Sequence, residues 1–475
     1  MKLNILHTND LHGHLENWPT IREYLKQQKA LFEAKDEPVL LVDVGDALDS
    51  VHPLVESTQG EIMVDLFNEV GYDIVTIGNN EGLNFTNAQL DYLYSHASYD
   101  VTLANLLDSQ TYNYPKWAQP LLYRVIEGKR LAFIGLTAPY ATYTLNGYEL
   151  IDPYDALEEQ LRNISRSSET VDLIVVLSHL GISEDRMIAK MYPQIDLILG
   201  SHTHHVLTQG EEVYQSTLAA SGRYGNYVGL VELELLPEQP KRHWKQATKK
   251  WKINCSVKTI EQLTSLTGIA QTDYYENIGR QTLKQQPIAS TPHGFSATAL
   301  SGKHSFIEMA LKALTEYTDT SLAILSSGLF LSDLPSVIVS NNDLHEALPH
   351  PMHIATLTFT GEHLVRLLEE MASQEEDLKF RMISGMGFRG KIFGELVMRG
   401  LRYDIERGEW LCQNAPIDDY RTYQIAIVDH YWFIPFFPTI AKYGSPRLLF
   451  PDFLRHVVAD YLGKIYPLVE RIDEE

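Results

Sequence analysis

The stretch LNILHTNDLHGH (residues 3–14) is an apolar run that stops abruptly in Asp10 and His12. Four other stretches end the same way: PVLLVDVGD (38–46), DIVTIGNN (73–80), DLIVVLSH (172–179) and IDLILGSHTH (195–204). Each joins a few aliphatic residues, the signature of a buried strand, to an Asp, Asn or His. Between them lie segments with apolar residues at i, i+3 and i+4, which predict helices over 21–33, 60–70 and 182–191. Strands alternating with helices predict an α/β fold whose strand ends bring their polar tips to one edge of the sheets.

A chain of 475 residues is too long for one ordinary core, so two or three domains are expected. Apolar residues make up 44% and charged residues 21%, and no run is long and apolar enough to span a bilayer, so a soluble protein with no membrane partner is expected. The formal charge of −23 argues against a surface that tracks a nucleic-acid polymer. One basic cluster, KRHWKQATKKWK (241–252), reads as a solvated face of a connecting segment. Cys255 and Cys412 are far apart, which supports neither a disulfide framework nor a cysteine zinc site and fits a reducing compartment. The N-terminus reaches polar residues too early for a leader peptide, so a cytoplasmic location is expected.

The alternating pattern ends in GRYGNYVGLVELELL (222–236), a Gly-punctuated turn and a last strand, followed by PEQP. A first domain is therefore placed over 1–236 and a connector over 237–275, itself holding a strand and a helix over 257–266. A second α/β domain is placed over 276–475, with helices over 305–317 and 361–372 and strands in HIATLTFTG and YQIAIVDHYWF.

The five strand ends carry the chemistry. Asp10 and His12 are two apart, which on an extended strand end turns both side chains to one face, and His202 and His204 repeat the spacing. Asp46, Asn79 and His179 each add one donor. Singly, the aspartates read as turn residues, His179 as a core histidine and GSHTHH as a surface loop; jointly, five strand ends argue for a site. Seven oxygen and nitrogen donors exceed what one ion uses, and Asp46, after Gly45, is placed to be shared by two. Carboxylate, amide oxygen and imidazole suit Mn²⁺, Zn²⁺ or Fe²⁺. Two such ions about 3.5 to 4 Å apart lower the pKa of a shared water and clamp both oxygens of an in-line displacement at phosphorus. The expected chemistry is phosphoester hydrolysis, with hydroxide held between two divalent ions as the attacking group.

In order, HTNDLHGHLE, VDVGD, TIGNNE, SHLG and GSHTHH resemble the calcineurin-like metallophosphoesterases, specifically the bacterial, cytoplasmic type of the 5'-nucleotidase, UDP-sugar hydrolase and 2',3'-cyclic phosphodiesterase family. LANLLD around Asn105, GKRLAFIGLTAP from Gly128 and SGRYGNYVG from Ser221 match as well. The resemblance implies a two-sheet α/β sandwich with outer helices, the metallophosphoesterase fold, followed by an α/β substrate-binding domain. It also implies that Asp10, His12, Asp46 and His204 hold one ion, and Asp46, Asn79, His179 and His202 the other. A small phosphorylated substrate, a nucleotide in the leading reading, is implied with it; the oligomeric state is left open.

Two departures matter. Asn79 matches the family's metal-binding asparagine, but Asn80 and Leu83 stand where the family carries a histidine and its partner aspartate. Asn80, the one residue assigned a catalytic contact, can donate a hydrogen bond to a phosphate oxygen and cannot deliver a proton. General acid assistance is worth roughly 100- to 10,000-fold, so the exchange favours substrates with good leaving groups, or a nearby histidine such as His14 or His205 in its place. In the second domain, ENIGRQTL (276–283) matches the family's first strand and residues 341–371 its middle, but SSGLF puts Phe330, taken with its position as a candidate substrate contact, where the family carries an arginine, and DHYWFIPFFP replaces an aromatic and Gly-rich loop. Tyr431 and Trp432 are candidates for base stacking, against the plainer reading of an aromatic run as core. Arg389, in SGMGFRGKIFG (384–394), is a candidate grip for a distal phosphate.

A metal-dependent 5'-nucleotidase or related nucleotide phosphoesterase is thus the leading expectation. Its rivals are a phosphodiesterase or pyrophosphatase acting on cyclic nucleotides or nucleotide sugars, and a non-catalytic metal-binding interaction protein that kept the ligands but lost the dyad.

Overall fold

The computed structural model describes residues 1–237, 250–298, 305–383, 385 and 387–468. Most of the basic cluster at 241–252 and two residues of the Gly-rich segment, at 384 and 386, lie outside the described residues. The chain divides into two compact units, Met1–Gly279 and Arg280–Glu475.

The first unit holds two large sheets. In the seven-stranded sheet the order is Trp251–Thr259, Tyr227–Leu235, Lys2–Thr8, Val39–Asp43, Ile74–Val75, Asp100–Thr102 and Ala118–Gln119. The first three pair antiparallel, and from Lys2–Thr8 onward neighbours are parallel. The six-stranded sheet has at its centre the parallel strands Lys129–Thr137, Leu173–His179 and Leu197–Gly200.

Alternation along these strands builds the layers. Leu3, Ile5, Leu40 and Val42 of one sheet meet Leu173, Val175, Leu177, Leu197 and Leu199 of the other in a shared core. The intervening Leu6 and Leu41 point to the opposite face, where the helix Trp18–Glu33 buries Trp18, Ile21 and Leu25. Ile174 and Val176 likewise turn outward to Leu157 and Leu161 of the helix Pro153–Arg166. Two-residue periodicity fixes which side chains face inward, and the result is the sandwich with outer helices that the sequence implied.

Residues 237–275 are more than a connector. Trp251–Thr259 runs antiparallel to Tyr227–Leu235 as the edge strand of the seven-stranded sheet. Trp251 is 2% exposed in the inter-sheet core, and Ile253 and Cys255 pack beside it while Lys252, Asn254 and Ser256 face out. That alternation draws the strand into the first unit, beyond the boundary expected near 236.

The second unit is built on a five-stranded sheet, in the order Leu396–Arg399, Leu322–Ser326, Thr422–Val428, His353–Thr360 and Ser445–Phe453. Helices Phe306–Thr318, Gly361–Ser373 and Leu454–Ile465 bury their apolar residues in its core. One expectation is corrected: ENIGRQTL lies in the helix Tyr274–Lys284. Its buried positions, Tyr275, Gly279 and Leu283, recur every four residues, a helical period. A second correction is that the strand read in YQIAIVDHYWF ends at Val428, after which His430–Phe433 form one helical turn. Among the described residues, no helix is long and apolar enough to cross a membrane.

Candidate metal centre

The parallel strands Lys2–Thr8, Val39–Asp43 and Ile74–Val75 of one sheet and Leu173–His179 and Leu197–Gly200 of the other deliver the candidate ligands just beyond or at their carboxyl ends. That is the edge at which open α/β sheets present ligand sites. Asp10, His12 and His204 place their ligand atoms within 4.8 Å of one another, and so do Asp46, His179 and His202. Each group draws from both sheets.

The backbone that achieves this differs from the extended ends expected. His179 closes its strand, but Asp10, His12, Asp46, His202 and His204 have φ of 52°, 50°, 55°, 69° and 59°. A non-glycine residue in the left-handed region costs about 1–2 kcal/mol, and such strain persists where the surroundings over-determine it. Here the loops are laced together: Asp10 N donates to Gly45 O at 2.9 Å, His12 N to Asp46 O at 2.8 Å and Gly13 N to Ala47 O at 3.0 Å. Gly78 and Gly45 let them approach. A Cβ on Gly78 would lie 2.1 Å from Asp46 Oδ1, and one on Gly45 would lie 2.3 Å from Gly78 N.

Hydrogen bonds decide which ligand atoms remain available. Asp10 Oδ2 accepts from Asn9 Nδ2 at 2.7 Å, Ser201 Oγ at 2.5 Å and His202 N at 3.2 Å. Its Oδ1, which shares the His202 N–H at 3.2 Å, lies 3.8 Å from His12 Nε2 and 3.6 Å from His204 Nε2. Asp46 Oδ1 accepts from Asn80 N at 2.7 Å, while Oδ2 lies 3.6 Å from His12 Nε2 and 3.3 Å from His179 Nε2. One oxygen of Asp46 therefore faces a histidine of each group. His179 Nδ1 donates to Val44 O at 2.7 Å, which aims Nε2 at the site.

These residues fit divalent ions. His12 Nε2, His179 Nε2 and Asn79 Oδ1 are buried without a hydrogen-bond partner among the described residues. Buried polar atoms are ordinarily paired, so these orphans, two of them imidazole nitrogens facing the Asp10 and Asp46 carboxylates, mark positions that cations would satisfy. The electrostatics agree. Burial acts to lower the His179 imidazole, but the charges of Asp46 and Asp10 outweigh it and hold it at about 10. Burial likewise acts to raise the Asp46 carboxyl, and His179 and His12 overcome it and keep it well below the usual range.

Several supporting residues carry little or no signal in the sequence. Glu81, 1% exposed, accepts from four backbone N–H groups: Asp46 at 3.1 Å, Ala47 at 2.7 Å, Leu48 at 3.0 Å and Gly78 at 2.9 Å. Burial, then the nearby charge of Asp46, pushes its carboxyl up to about 7. Its one signal is its place three residues after Gly78 at the start of the helix Asn79–Asn84. Asn9, Ser201 and Asp49 have none beyond adjacency. Asn80 is not free to reach outward: its Nδ2 lies 2.9 Å from His12 Nδ1 and 3.2 Å from Asp49 Oδ2.

In the second unit, Phe330 is 6% exposed with its ring centroid 4.8 Å from that of Phe306, and Tyr431 is fully buried in the same core. Both are corrected from ligand-facing to interior, because an aromatic stripe gains most by filling the core. Trp432 is half-buried against that core. Arg389 is half-buried, its backbone N donating to His350 Nδ1 at 2.9 Å.

Residues 3–206 match the family described as calcineurin-like phosphoesterase, and residues 283–433 match the 5'-nucleotidase C-terminal domain. The chain is 32% identical to the uncharacterized metallophosphoesterase YunD of Bacillus subtilis (strain 168) over 96% of this chain and 98% of that one. It is 30% identical to the snake venom 5'-nucleotidase of Crotalus adamanteus over 47% of this chain and 40% of that one. In fold it resembles the NAD nucleotidase of Haemophilus influenzae, with a TM-score of 0.59, 18% identity and coverage of 98% and 97%. With a candidate ligand set delivered by two facing sheets and both domains matched in order, the chain belongs to the calcineurin-like metallophosphoesterases that carry a 5'-nucleotidase C-terminal domain.

Proposed function

We propose that this protein is a hydrolase of small phosphoesters that works through two divalent ions, and that its substrates are nucleotides or closely related compounds. The observation that carries the reading is the pair of ligand groups joined through Asp46, with orphaned buried nitrogens on both sides of its Oδ2. Asp10, His12, Asp46 and His204 would hold one ion, and Asp46, Asn79, His179 and His202 the other. Mn²⁺, Zn²⁺ or Fe²⁺, bound there, would supply Lewis-acid polarisation of the phosphoryl oxygens and a water acidic enough to attack at neutral pH.

The chain's own residues do the rest. Asn9 and Ser201 hold Asp10 by its Oδ2, Val44 fixes the His179 ring, and Glu81 clasps the loop that carries Asp46. Asn80 donates to Asp49 beside His12 and has no proton to deliver to a leaving group. The nucleotide preference draws support from the matched C-terminal domain and from relatives named 5'-nucleotidase and NAD nucleotidase. A cytoplasmic site of action fits the two unpaired cysteines.

Asn80 also favours a second reading within the same chemistry. Without a general acid at that position, diphosphate esters and activated diesters, whose leaving groups need little help, become better substrates than simple monoesters. Metal-stripped protein reloaded with Mn²⁺ and given bis-p-nitrophenyl phosphate and a nucleotide panel tests both. Metal-dependent turnover absent from Asp46→Ala is expected, and the ranking of substrates by leaving group separates the two readings. Two bound ions without turnover of any substrate would instead make this a metal-binding interaction protein.

A further inference from the structure

We infer that Arg223 grips the phosphoryl group of the substrate at this centre, supplying the positive charge that position 80 does not. The inference rests on the phosphohydrolase reading above.

The need is electrostatic. Beyond what two divalent ions neutralise, a phosphoester brings negative charge toward Asp10, Asp46 and Asp49, all buried, and the Asn80 amide donates to the Asp49 carboxylate at 3.2 Å. A neutral amide also stabilises a phosphoryl group less than a cation does. Arg223 is exposed and, among the described residues, pairs with no carboxylate; its Nη1 lies 3.1 Å from Nδ1 of His204, a candidate ligand. The guanidinium sits over the Tyr224 ring, 4.5 Å from its centroid, which leaves its N–H edge, apart from the contact with His204, open to an anion. An exposed arginine resting on a tyrosine is ordinary on a protein surface. Direct contact with a ligand imidazole is not.

The loop that carries Arg223 is fastened to the ligand loop. Tyr224 N donates to Asp10 O at 2.8 Å, Asn9 Nδ2 to Gly222 O at 2.7 Å and Ser221 N to Asn9 Oδ1 at 3.1 Å. Tyr224 itself has φ of 61°, unusual for a bulky side chain, and its ring meets that of His12 edge-on at 5.6 Å. Strain of this kind concentrates where a side chain must be aimed. The fastening fixes the Cα of Arg223 relative to Asp10 and leaves its long side chain to move.

The contact with His204 also has a direction. Arginine has donors only, so the 3.1 Å contact requires a lone pair on His204 Nδ1. A His204 that ligates through Nε2 carries its proton on Nδ1 and can no longer accept. Loading of the site thus removes the partner of the guanidinium next to the place where a phosphate arrives, and a bidentate phosphate contact is the replacement its geometry suits.

The test is titration of the metal-loaded full chain with inorganic phosphate by calorimetry, with bound metal counted in each sample, for the wild type, Arg223→Gln and Arg223→Lys. Loss of one charge-assisted contact weakens binding roughly 10- to 100-fold in Arg223→Gln, with Arg223→Lys between it and the wild type and metal content equal in all three. Phosphate affinity of Arg223→Gln within twofold of the wild type overturns the inference. So does a fall in metal content that accounts for the weaker binding, since Arg223 would then only support His204, and so does a metal-loaded wild type that binds no phosphate. A wild type that binds phosphate but hydrolyses no phosphoester overturns the enzymatic reading, and the affinities of the two variants still decide for or against a phosphate grip by Arg223.

Discussion

Glu81 shows how one buried carboxylate organises a centre it does not line. Its two oxygens accept four N–H groups from residues 46–48 and 78, a job that glutamine, with one oxygen and an unwanted amide donor, cannot repeat. Glu81→Gln is expected to cost about 2–4 kcal/mol, read by urea unfolding with a chelator present, and to weaken metal binding by loosening the Asp46 loop. His179 supports a second expectation. In the metal-free protein its imidazole is held at about 10, so at pH 8 it carries a proton that a metal ion must displace. Metal titrations at pH 8 in buffers of different ionisation enthalpy should show proton release, lower by close to one proton in His179→Ala. The candidate ligands stood out in the sequence because aspartate, asparagine and histidine directly after aliphatic runs have few other reasons to be there. Glu81 was not, because an acid in the first turn of a helix is ordinary until the backbone around it is known.

At the level of elements, the strand-to-helix turn at Gly78 is where the backbone comes hard against the candidate ligands. A methyl group there would collide with Asp46 Oδ1 at 2.1 Å and with His179 Cε1 at 2.5 Å, backed by strands that cannot retreat. Gly78→Ala is therefore expected to abolish binding of the ion assigned to Asp46 and His179 while leaving far-ultraviolet circular dichroism near that of the wild type; metal counting checks it. The strand ends themselves could be read from composition, since short aliphatic runs bounded by Gly and polar residues have one economical structure. Their left-handed continuation could not, because five non-glycine residues with positive φ leave no mark in local propensity. ENIGRQTL failed for a different reason: eight residues with two large aliphatic ones fit a strand as well as a helix, and the buried positions at 275, 279 and 283 decided it. Phe330 and Tyr431 were candidates on the strength of the position each occupied, and the core claimed both.

For the whole molecule, the sheet order makes a sharp statement about where the first unit ends. A fragment of residues 1–279 keeps Trp251–Thr259 on the sheet edge, with Trp251 Nε1 donating to Asp172 O at 2.8 Å. A fragment of 1–236 exposes the unpaired edge of Tyr227–Leu235 and empties the place of Trp251 in the inter-sheet core. The longer fragment is expected to be monodisperse and to bind metal, and the shorter to aggregate, as light scattering would show. The α/β layering was legible from alternation and chain order and the two-sheet sandwich from the family resemblance; that the strand expected in the connector joins the first sheet was hidden by the proline-containing PEQP segment, which reads as an ending.

Because each ligand group takes members from both sheets, an ion seated there rivets the sandwich at its open edge. Binding that favours the folded state adds about 2.7 kcal/mol at a free ion concentration one hundred times the dissociation constant. With the centre loaded as proposed, the endurance of the protein would be tied to the supply of the ion: in a metal-starved cell the sheets would lose their fastening, and proteolysis would withdraw the protein during the same scarcity that idles it.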